Sequence, residues 1–135
     1  MKEYKKSYLF FWLWLLLFCA FAFGVCLIPK MKIQIIIAFV DNIMTIGCFV
    51  LSFIIYKTEY IYCYNGTSFE EAKEAGSDRR KRFALAHMKR FGYFALGFFI
   101  YSVVSIFVGI PYGIDIAIVS VGIVLTAIST INIKL

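Results

Sequence analysis

Four long apolar stretches, at residues 8–28, 33–56, 91–110 and 114–131, take up most of this 135-residue chain. Each reaches or approaches the ~20 residues a helix needs to cross a hydrocarbon core of ~30 Å. In lipid the backbone must close its hydrogen bonds within each segment, which leaves helices as the economical solution. Composition agrees, with 62% hydrophobic and 16% charged residues against about 25% charged in an ordinary soluble domain. A soluble domain of this length could not hide that much apolar surface. The expected fold is all-α, a single membrane domain over residues 1–135 with four transmembrane helices and a helical 57–90 segment.

The helices are expected to pair as two hairpins. Each hairpin starts with basic residues (Lys5-Lys6; Lys89-Arg90) and turns at Ile-Pro, namely Ile28-Pro29 and Ile110-Pro111. Proline cannot extend the helical ladder and restricts the residue before it. An acid follows each turn, Asp41 and Asp115, which suggests a weak two-plus-two repeat. The acids stand at different distances from their prolines, which counts against an exact duplication. The start Lys2, Lys5, Lys6 followed by an apolar run has the look of a signal peptide. That run exceeds the usual ~7–15 residues and no small-x-small cleavage site ends it, so a retained helix is expected.

Twelve basic residues lie in the N-terminus, the 57–90 segment and the C-terminus, against only Lys30 and Lys32 in the intervening turns. The positive-inside rule then places both termini and the 57–90 segment in the cytoplasm, with the chain in a plasma or inner membrane. The net charge of +6 is mostly juxtamembrane, so anionic lipid headgroups are the expected partner at about 1 kcal/mol per basic residue. Nucleic acid is not expected, because no basic and aromatic interleaving is present.

Within the 57–90 segment, Asn65-Gly66 marks a turn. Ser68 and Glu71 fit a capping box starting a helix at Phe69. Gly76 can end it, and Ser77 or Asp78 can cap the next helix. The run from Arg79 onward reads as a basic amphipathic, interfacial helix leading into the third span. Arg79, Arg80, Lys81, Arg82, Lys89 and Arg90 would reach headgroups while Phe83, Leu85 and Met88 dip into the interface. The lone His87 reads as a surface residue of that helix.

Residues Gln34, Ala38, Asp41, Thr45, Cys48 and Ser52 step by 4, 3, 4, 3 and 4, one continuous polar or small stripe along a helix. Glu59 lies on its extension. Such a stripe must face protein or water. It serves either helix packing or a solute or proton path with Asp41 as the titrating group. Asp115, just past a turn, reads as a helix-start acid, with Lys30 or Lys32 as candidate contacts. In the last span, Gly113, Ala117, Gly122, Thr126 and Thr130 carry the small-xxx-small spacing that lets helix backbones approach closely.

Cysteines 19, 26, 48 and 63 show no CxxC spacing and are expected as reduced packing residues. No metal site or cofactor is expected, because His87 has no cysteine cluster beside it. No nucleophile–base pair or phosphate-binding glycine loop is recognisable, which argues against an enzyme. The leading expectation is an accessory or regulatory subunit that associates with other membrane proteins, or with copies of itself. The competing one is a homo-oligomeric transporter or channel using the second-span stripe.

The stretch Ser52-Phe53-Ile54-Ile55-Tyr56-Lys57-Thr58-Glu59-Tyr60, with the two-plus-two layout, is similar to GtrA-like membrane proteins. That resemblance implies a part in lipid-linked sugar translocation. Those proteins tend to carry asparagine before the basic residue, where this chain has Tyr56, and the resemblance spans two helix ends without reaching a family assignment.

Overall fold

The computed structural model describes residues 4–64 and 66–135; the Lys2 and Asn65 readings lie outside them. The described residues form five α-helices: α1 (Leu9–Cys26), α2 (Ile33–Thr58), α3 (Phe69–Glu74), α4 (Gly76–Val108) and α5 (Tyr112–Thr130). A 3-10 turn at Ile61–Cys63 follows α2, and no strand occurs among the described residues. Helices α1, α2, α4 and α5 are each long and apolar enough to cross a membrane.

The start of α3 follows the capping-box chemistry. Ser68 Oγ accepts from the Glu71 amide at 3.1 Å and Glu71 Oε2 accepts from the Ser68 amide at 2.8 Å. Gly76 then sits at φ +75°, a left-handed conformation that glycine adopts without a Cβ penalty, and separates α3 from α4. Neither Ser77 nor Asp78 caps α4. Ser77 Oγ instead donates to Glu59 Oε1 at 2.8 Å.

Helix α4 joins the expected interfacial helix and the third apolar stretch into one continuous helix. It runs unbroken for 33 residues, or ~50 Å at 1.5 Å per residue, well beyond a ~30 Å hydrocarbon core. No proline interrupts it, and Phe83, Ala84 and His87 are buried along the basic half as Ala95, Phe98, Ser102 and Ser105 are along the apolar half. One buried face therefore carries the helix through both compositions. Gly109, left-handed at φ +78°, ends α4, while Pro111 stands at the N-terminal boundary of α5.

Helices α2 and α4 form the most extensive pair. Helix α5 lies against both, and α1 packs on α2 alone. The α1–α2 contact includes Phe18, whose ring lies over Gly47 so closely that a Cβ there would meet it at 2.6 Å. Helix α1 contributes no buried residue.

The packed core lies at one end of the bundle. Ile55, Ile61, Tyr62, Ala72, Phe83 and Ala84 are buried together, with Tyr4, Phe69, Ile133 and Leu135 packed against them. Tyr4 stacks on Phe69 at 5.5 Å, and Tyr62 Oη both accepts from the Ser7 amide and donates to its carbonyl. Residues near both termini thus join the 59–79 segment in an aromatic cap.

Glu59, left-handed at φ +62° just past α2, is the polar centre of this cap. Its carboxylate pairs with Arg80 at 2.9 Å and Lys81 at 3.6 Å. Its carbonyl accepts from Tyr4 Oη at 2.7 Å. Burial alone would raise its pKa, but the Ser77 and Arg80 hydrogen bonds and the Arg80 and Lys81 charges outweigh burial and hold it below the usual value of 4.5.

A buried polar seam between α2, α4 and α5

The helical stripe of α2 is the face turned into the protein. Ala38, Asp41, Thr45 and Ser52 are buried, while Gln34 and Cys48 are half-buried. Gln34 Nε2 donates to the Ile110 carbonyl at 3.0 Å, tying the start of α2 to the α4–α5 turn. Thr45 Oγ1 donates back to the Asn42 carbonyl at 3.1 Å.

Asp115, in the first turn of α5, is within electrostatic reach of Asp41 and is itself buried. Asp115 Oδ1 accepts from Ser105 Oγ at 2.7 Å and from Tyr101 Oη at 2.8 Å, both on α4. Its partners are therefore hydroxyls of α4, and no ion pair joins it to Lys30 or Lys32 among the described residues. Asn42 Nδ2 donates to the Ala38 carbonyl at 2.7 Å and to Ser102 Oγ at 2.8 Å. Two buried oxygens of the seam, Asp41 Oδ2 and Asn42 Oδ1, have no hydrogen-bond partner.

The stripe does not reach Asn42, Tyr101, Ser102 or Ser105. Asn42 is one step, about 100°, off the Asp41 line, and isolated hydroxyls in an apolar helix read as neutral. The usable signal was the i, i+3 pair Ser102 and Ser105, the only serines in a span otherwise made of aliphatic and aromatic residues and glycine.

Further toward the cap, Tyr64 Oη lies beside Ser52 but outside hydrogen-bond geometry. His87 is stacked on Tyr64 with ring centroids 4.1 Å apart, and its Nδ1 lies 3.0 Å from the Phe83 carbonyl. It is 4% exposed, so the reading of His87 as a surface residue is wrong. Phe83 is likewise buried in the cap rather than dipping into an interface. The physical reason is the 3-10 turn, which brings Tyr64 back over α4.

On α5, Gly122 packs against α4, and any Cβ there would run into the Phe94 ring. Thr126 and Thr130 spend their hydroxyls on their own helix, at the Gly122 and Ala127 carbonyls. Gly113 and Ala117 are exposed. Of the basic residues, Arg79, Lys81, Arg82, Lys89 and Arg90 are exposed. Arg80 differs, with its guanidinium held by Glu59, by the Ala72 carbonyl at 3.1 Å and over the Tyr4 ring at 4.2 Å. It is committed to the cap rather than offered to headgroups.

On its outer side the bundle has a groove of about 590 Å³ between α1 and α2, walled by Leu13, Trp14, Leu17 and Phe18 from one helix and Ile43, Ile46, Gly47 and Val50 from the other. No group of three or more metal-ligating side chains occurs among the described residues.

Compared with known proteins, the chain matches no family model, no curated protein and no solved structure. The similarity of residues 52–60 to GtrA-like proteins therefore has no family match behind it.

Proposed function

We propose that this protein is a non-enzymatic accessory or regulatory membrane subunit that works by lateral helix association with another membrane protein. The observation that carries this reading is the apolar α1–α2 groove. Among the helices, α1 packs against α2 alone and contributes no buried residue, so one side of the α1–α2 pair is unpartnered within the chain. The groove's walls are apolar side chains of both helices, with Leu13, Leu17, Ile46 and Val50 exposed, the surface a further transmembrane helix packs against.

In this reading the aromatic cap, both termini and the basic half of α4 face the cytoplasm. Arg79, Lys81, Arg82, Lys89 and Arg90 then lie near anionic headgroups. The test is the mass and composition of the complex extracted gently from its native membrane. A Val50→Trp variant, which fills the groove, is expected to release the partner while the bundle stays folded. Retention of the same partner by that variant would remove the groove from the interface.

A second reading, a small transporter, is favoured by the two carboxylates held within membrane-length helices. Because Asp41, Thr45 and Ser52 are buried within one chain, its path would run between α2 and α4 rather than on an axis between copies. It expects Asp41→Asn to abolish a proton- or ion-linked flux in liposomes; unchanged flux from folded protein refutes it.

A further inference from the structure

The seam between α2, α4 and α5 has a surplus of hydrogen-bond acceptors. The Tyr101 and Ser105 hydroxyls and the Asn42 amide are already engaged as donors. Both hydroxyls that reach Asp115, from Tyr101 and Ser105, converge on its Oδ1. The Asn42 amide nitrogen uses its two protons on the Ala38 carbonyl and Ser102 Oγ, which fixes the orientation of the amide and makes its Oδ1 an acceptor. That oxygen and Asp41 Oδ2 are buried and receive no hydrogen bond, on a side chain that is 4% exposed in the case of Asp41. A second carboxylate, Asp115, lies within electrostatic reach. Among the described residues, the ion pairs engage Glu59 rather than either acid.

Buried acceptors without donors are costly, and two carboxylates without a counter-charge in a low-dielectric setting are more so. A positive charge placed among them satisfies the oxygens and the field together. All the free ligands are oxygens, which select hard cations over soft metals. Calcium takes 6–8 oxygens and magnesium near-ideal octahedral geometry, more than three side chains on two helices, α2 and α5, supply. With one proton retained on the acid pair a single negative charge remains, which one monovalent cation neutralises.

We propose that Asp41, Asn42 and Asp115 form a buried binding site for one monovalent metal cation of the sodium class, clamping α5 to α2. This goes beyond the association reading and does not rest on it, because an ion at this position can hold the bundle together whether or not it moves.

The experiment uses the full chain in detergent or nanodiscs at fixed pH and ionic strength. Sodium, lithium or potassium chloride replaces choline chloride while thermal unfolding is followed by tryptophan fluorescence. The expected result is a saturable rise in the midpoint with one of the metal cations over choline, and radioactive sodium binding near one per chain if sodium is that ion. In Asp41→Asn, and separately in Asn42→Ala, the apparent dissociation constant rises at least tenfold; the exposed Glu70→Gln variant keeps the wild-type response. Should Asp41→Asn fail to fold, Asn42→Ala and the direct binding measurement decide. Equal midpoints in choline and all three metal chlorides overturn the site. So does a midpoint that responds to pH alone, which would mean a shared proton, or to calcium alone.

Discussion

Replacing Arg80 with alanine tests how the aromatic cap is held. Its guanidinium meets Glu59 through Nε at 3.0 Å and Nη2 at 2.9 Å, the Ala72 carbonyl through Nη1 at 3.1 Å, and the Tyr4 ring at 4.2 Å. Breaking a fully buried ion pair costs about 3–5 kcal/mol, whereas an exposed one contributes about 0–1 kcal/mol. Here the side chains are 11% and 18% exposed, and Lys81 stands 3.6 Å away to share the carboxylate. That places the pair between the two limits, at about 2 kcal/mol. Loss of the cation–π contact adds about 1 kcal/mol. The expected total is about 3 kcal/mol, with Arg80→Lys recovering only part because an ammonium cannot reach Glu59 and Ala72 in the same forked geometry.

The assay is reversible unfolding in mixed micelles, with circular dichroism for the helices and tyrosine fluorescence for the cap. A pH series adds an independent readout. The folded pKa of Glu59 lies below 4.5, so its ionisation contributes stability that is fully present above pH 4.5 and is lost as pH falls through the folded value. In Arg80→Ala this acid-side loss shrinks, because the hydrogen bond and charge of Arg80 have gone while the Ser77 hydrogen bond and the Lys81 charge remain. An Arg80→Ala protein that unfolds like wild type, with the same acid slope, would refute the assignment of Arg80 to the cap.

Three further outcomes are expected. Gly122→Ala drives its methyl into the Phe94 ring and costs about 1–3 kcal/mol by overpacking; adding Phe94→Leu recovers most of that loss in the same unfolding assay, and a lack of rescue would contradict the contact. Ser68→Ala removes the capping-box acceptor of α3 and costs about 0.5–2 kcal/mol, read as earlier loss of the cap relative to the spans. With Cys26 replaced by alanine, Lys30→Cys is labelled by an impermeant thiol reagent on intact cells and Lys73→Cys only after permeabilisation; the reverse pattern would invert the proposed orientation.

Much of this was legible in the residues, and for definite reasons. The 4-3-4 spacing from Gln34 to Ser52 identified the buried face of α2 because lipid penalises unpaired polar groups. Ser68 with Glu71 marked the start of α3, and Gly76 its end, through local backbone chemistry that does not depend on tertiary context. What the stripe faces was not legible. Ser102, Ser105 and Tyr101 of α4 become partners only once three helices cross, and Asn42 joins them through a side chain one step off the periodic line. His87 was misread because its neighbour Tyr64 returns to it through a 3-10 turn that carries little sequence signal. Arg80 could not be told from Arg79, Lys81 and Arg82 by composition. Successive helical residues point about 100° apart, and only Arg80 both pairs with Glu59 and lies over Tyr4.

The most direct test of the proposed association is native mass analysis of the complex released gently from its own membrane, paired with the Val50→Trp variant. A second membrane protein in fixed ratio to this chain, lost when the α1–α2 groove is filled, is the expected result. A chain that leaves the membrane as a lone monomer, or keeps its partner with the groove filled, would contradict it.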